Sequence, residues 1–93
     1  MAKELCAINR QGQTFGMEVD GVRAAAVMKK AFTITEEVKY GDKSYTRKKS
    51  ALKANQIASL MREAAWLVVE LHDFVRVQFD DSQWYEVVYD GAG

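Results

Sequence analysis

The sequence contains no proline, one cysteine, one histidine, no apolar run longer than six residues and no net charge. Each shortage excludes something. With Cys6 alone there is no intramolecular disulfide, which suits a reducing compartment. Cys6 and His72 together fall short of the four nitrogen and sulfur ligands of a structural zinc site. The longest apolar run, Ala64 to Val69, is far below the ~20 residues of a membrane-spanning helix. The opening residues alternate polar and apolar types and lack the core of a signal peptide. The expected location is therefore the cytoplasm, without membrane attachment. Lacking proline, the chain must be divided by glycine, charge and periodicity.

Catalytic vocabulary is equally sparse. His72 would have to serve in any Ser-His-Asp arrangement, yet no Gly-x-Ser-x-Gly surrounds Ser44, Ser50, Ser59 or Ser82. No glycine loop precedes a helix in the manner of a phosphate cradle. Asp80 and Asp81 are adjacent carboxylates without the spacing of a calcium loop, and they read as turn residues. Cys6 falls in a strand, where a lone thiol is ordinarily a small buried hydrophobe. An enzyme built on Cys6 and His72 is the weakest reading. The expectation is a non-enzymatic protein with no metal and no cofactor.

What remains is ample for a core: hydrophobic residues make up 48% and aromatics 11%. Ninety-three residues suit one domain, 1–93, with a flexible Gly91-Ala92-Gly93 tail. Residues 5–9 are apolar on both faces, as in a central strand. Phe15, Met17 and Val19 alternate with polar positions, and Gly12 lies in the connecting turn. Asp20 is placed to cap a helix whose stripe is Ala24, Val27, Met28 and Ala31. Residues 32–40 return to a strand, and Gly41-Asp42 makes a two-residue hairpin turn. That turn sets Val38 opposite Tyr45 and Glu36 opposite Arg47.

A second helix is expected from Ala51, capped by Ser50 and continuing to about Leu71. Its stripe is Ile57, Leu60, Met61, Ala64, Leu67, Val68 and Leu71. Trp66 and Val69 project from the polar face of that helix, which marks a homodimer interface. Val75, Val77 and Phe79, then Tyr85, Val87 and Tyr89, form a closing hairpin around Asp80-Asp81-Ser82-Gln83. The fold expected is α+β, a small antiparallel sheet of β-hairpins packed with two helices in the order ββ-α-ββ-α-ββ.

The neutral balance conceals two opposed blocks. Residues 39–62 hold seven cations against Asp42, a net +6, while residues 63–93 hold seven acids against Arg76, a net −6. A basic segment attracts polyanions whatever the overall charge. Lys39, Lys43, Arg47, Lys48, Lys49 and Lys53 lie along the hairpin and the expected helix start, with Tyr40 and Tyr45 interleaved. Cations neutralise phosphates and rings stack on unpaired bases, so these eight residues are the candidate nucleic-acid-binding set. The bland counterpart is a lysine-guarded edge strand. The alternative function is a protein-binding regulator or inhibitor of a nucleic-acid-handling complex. It would act through Asp80, Asp81 and Trp84 of the acidic hairpin, or through Trp66 and Val69.

Overall fold

Alternating side chains build a sheet, and two helices cover one of its faces. In the computed structural model, which describes residues 1–63 and 73–89, β1 (Ala2–Asn9) and β2 (Thr14–Asp20) form the first hairpin. Asn9 organises its turn, its Oδ1 accepting from the N–H groups of Gln11 (3.0 Å) and Gln13 (2.9 Å). Gly12 there adopts φ +83°, a conformation costly for residues with a Cβ.

Helix α1 (Gly21–Met28) starts where Asp20 Oδ1 accepts from the N–H groups of Val22 (2.8 Å) and Arg23 (3.1 Å). These bonds hold the Asp20 carboxyl below its usual pKa, Arg23 contributing first and Val22 second. Then come β3 (Phe32–Tyr40), β4 (Lys43–Lys53), α2 (Ala54–Glu63), β5 (Phe74–Phe79) and β6 (Trp84–Val88).

The chain order agrees with expectation, but the sheet does not. It is one six-stranded mixed sheet ordered β2-β1-β5-β6-β4-β3. Four neighbouring pairs are antiparallel, and β4 and β6 are parallel through Ala51–Glu86, Leu52–Val87 and Lys53–Val88. This seam also corrects the second helix. Residues 50–53 are strand, so Ser50 is no helix cap and α2 begins at Ala54. Ala, Leu and Lys favour helices, but pairing with β6 buries Ala51 and Leu52 completely and overrides that preference. The expected continuation to Leu71, with Trp66, Val69 and His72, lies outside the described residues, as does the 91–93 tail.

The core joins both halves of the chain. Leu5, Ala7, Leu52, Val77, Phe79 and Tyr85 face inward from the sheet, and Ala24, Ile57, Leu60 and Met61 meet them from the helices. Phe79 packs edge-on to Tyr85 at 6.3 Å between ring centroids, and Phe15 meets Phe74 likewise at 5.7 Å. Among the described residues no helix is long and apolar enough to cross a membrane.

The β3–β4 hairpin reaches beyond this core. Residues 39–48 are exposed throughout, and the protein measures 46 Å along its longest axis against 26 and 24 Å across. We call this extension the arm.

Candidate nucleic-acid interface

The arm's register follows its turn. Gly41 takes φ +61°, Val38 pairs with Tyr45, and Glu36 pairs with Arg47, as expected. Because strand side chains alternate, one face of the arm carries Tyr40, Lys43, Tyr45, Arg47 and Lys49, and the other carries Lys39 and Lys48. Leu52 points into the core, so the first group lies on the sheet face opposite the helices. Tyr40 is 80% exposed and Tyr45 52%. Lys53 shares that face at the far end of β4, beside Val88.

Not every cation is available. Arg47 Nε bonds Glu36 Oε2 at 3.0 Å, and Lys49 Nζ lies 2.7 Å from the same oxygen and 2.6 Å from Glu86 Oε1. The Glu36 carboxyl is held below its ordinary pKa, first by the bond from Lys49 and then by that from Arg47. The Lys49 ammonium is raised, by Glu36 first and Glu86 second. Lys39, Lys43, Lys48 and Lys53 have no ion-pair partner among the described residues. From Phe32 to Lys53 the hairpin holds six cations against Glu36, Glu37 and Asp42, so folding dilutes the positive block by bringing β3's acids alongside. Lys49 and Ser50 do not lie at a helix start, since α2 begins beyond Lys53.

β4 meets β6 only from Ala51 onward, so residues 47–50 run past the β5–β6 turn. The gap is a notch of about 400 Å³, lined by Arg47 to Ser50 on one side and by Arg76 and Gln83 to Glu86 on the other. Val77 pairs with the buried Tyr85, which turns Arg76, Trp84 and Glu86 to the open sheet face. Trp84 is 39% exposed. Arg76 is exposed and has no ion-pair partner among the described residues. Arg76 lies outside the set expected from the sequence, which places Trp84 in an acidic protein interface. Their alternation with Val77 and Tyr85 shows the face they occupy, but only the β4–β6 seam places that face beside the arm.

The acidic third is partly engaged within the fold. Asp80 adopts φ 48°, accepts from the Glu4 N–H at 2.8 Å and lies 3.5 Å from Lys3 Nζ. Glu63 pairs with Arg23. Asp81 is exposed in the turn. Cys6 lies on the open face, donating weakly to Glu4 Oε1 at 3.5 Å. Burial, and secondarily the Glu4 hydrogen bond, raise its thiol pKa, which keeps it protonated and poorly nucleophilic. Among the described residues no three of His, Cys, Asp and Glu are grouped to hold a metal.

Comparison of the chain with known protein families, with curated proteins and with solved structures finds no match in any of the three.

Proposed function

We propose that this is a small, non-enzymatic nucleic-acid-binding accessory or regulatory protein of the cytoplasm that binds through its arm. The observation that carries the reading is the arm's composition in place: among the described residues Lys39, Lys43 and Lys48 have no ion-pair partner, and Tyr40 and Tyr45 are exposed. A ribbon carrying cations on both faces can track a phosphate backbone, each neutralised phosphate releasing counterions.

The test is titration of single- and double-stranded DNA and RNA against wild type and a Lys39/Lys43/Lys48→Gln triple variant. Wild-type affinity is expected to fall with salt, with a log–log slope of about −2 to −4 for three to five phosphates. The variant should bind more weakly with a shallower slope. Absence of wild-type binding at about 50 mM salt, or equal binding by the variant, would overturn the reading in favour of a protein-binding regulator or inhibitor.

A further inference from the structure

The geometry points to a base-binding site in the notch: we propose that it holds one unpaired nucleobase of a single strand, stacked on Trp84, with a neighbouring phosphate on Arg76. The inference rests on the nucleic-acid reading of the arm and adds to it the ligand's chemical class.

Three observations converge there. First, the notch has a ring in its wall. Trp84 is held in β6 by pairing with Gln78, and its neighbour Tyr85 is locked in the core. The indole is thus fixed at its backbone and open on its outer side. An aromatic platform of this kind stacks any base, since every base presents a π-face.

Second, the charge beside the ring is unpaired among the described residues. Arg76 occupies the same sheet face, directly opposite Glu86 and diagonal to Trp84, and has no ion-pair partner among the described residues. Lys48 lines the notch from β4, its side chain turned to the other sheet face. The nearest acid, Glu86, is bonded to Lys49. A phosphate arriving at Arg76 meets no unneutralised carboxylate from β6.

Third, the notch continues into the arm. On the open face Lys49, Arg47, Tyr45 and Lys43 recur about every 6.5 Å along β4, ending beside Tyr40 at the tip. A strand anchored by its base in the notch can run outward along this row. At about 400 Å³ the space is within the range of small-ligand sites. A base inside a duplex has both faces covered and cannot enter without being flipped out.

The experiment separates base from phosphate. Labelled oligonucleotides of about ten residues are titrated in three forms: an ordinary single strand, an abasic strand with the same number of phosphates, and a duplex. Wild type should prefer the base-bearing strand over the abasic one by about five- to hundredfold, the range of a single stacked base. Trp84→Ala should abolish that preference and leave the salt slope unchanged, while Trp84→Phe, which keeps a ring, should retain most of it. Arg76→Gln should weaken both strands and reduce the slope by about 0.7. Circular dichroism verifies that each variant is folded. Equal wild-type affinity for base-bearing and abasic strands, or a preference that survives Trp84→Ala, would overturn the notch site while leaving arm-dependent polyanion binding intact. If no strand binds at low salt, both readings fall together.

Discussion

Lys49 of β4 and Glu86 of β6 meet at 2.6 Å beside the seam that holds the arm to the rest of the sheet. The same ammonium reaches Glu36 of β3, so one cation links the carboxylates of both flanking strands. Glu86 therefore tempers positive charge at the base of the notch. In Glu86→Gln, Lys49 should become more available to phosphate. Single-strand affinity should rise, and the salt slope should steepen by up to about 0.7. Affinity measured at two salt concentrations checks this. A fall in affinity would show that Glu86 matters for positioning the notch and not for its charge.

Asp20 should give the protein an acid-sensitive helix start. Its carboxyl pKa is lowered in the fold by the N–H groups of Arg23 and Val22, so its contribution is complete above the ordinary carboxylate range. It is lost as pH falls through the lowered value. Asp20→Ala should melt below wild type at pH 7, and the difference should shrink toward pH 3. Thermal melts at the two pH values check this; a gap that stays constant would mean that the charge is not involved.

Core and arm should respond differently to loss of an aromatic ring. Phe79 is 1% exposed and packed against Tyr85, so Phe79→Ala should cost about 3–5 kcal/mol. Tyr45 is 52% exposed on the arm, and Tyr45→Ala should change stability by no more than about 0.5 kcal/mol while weakening single-strand binding. Urea denaturation checks the first difference, and oligonucleotide titration checks the second.

Tyr89 anchors the chain after β6 by donating its hydroxyl to the Phe74 carbonyl at 2.6 Å. Tyr89→Phe should cost about 0.5–1.5 kcal/mol. Burial raises the phenol pKa. A raised value means that the neutral form's contribution is present below the ordinary tyrosine pKa and is lost as pH climbs through the folded one. Wild-type stability should therefore decline above about pH 10, and less steeply in Tyr89→Phe. Denaturation at pH 8 and at pH 11 checks both expectations.

Much of this fold was legible in short stretches of sequence. A two-residue turn at Gly41-Asp42 fixes its own register, and the pairs Val38–Tyr45 and Glu36–Arg47 followed from it. Asp20 announced a helix because its carboxylate precedes the apolar stripe directly. What escaped depends on partners distant in the chain. Ala51, Leu52 and Lys53 look helical alone and become strand because Glu86 to Val88 pair with them. The notch was hidden for the same reason: Arg76 and Trp84 show their face locally but not their neighbour. Trp66 and Val69, expected at a dimer interface, lie outside the described residues.

The pairing of β1 with β5 has a consequence for how the molecule is made. Leu5 is matched to Phe79 and Ala7 to Val77, so two adjacent interior strands of the sheet come from distant parts of the chain. During synthesis, β1 and β2 can close a hairpin early, and so can β3 and β4, yet each leaves an apolar flank without its neighbour. The sheet cannot be completed until β5 and β6 emerge and insert between those halves. Such long-range closure slows folding relative to locally connected proteins. The nascent chain carries two waiting hairpins, and its last-made strands act as the keystone.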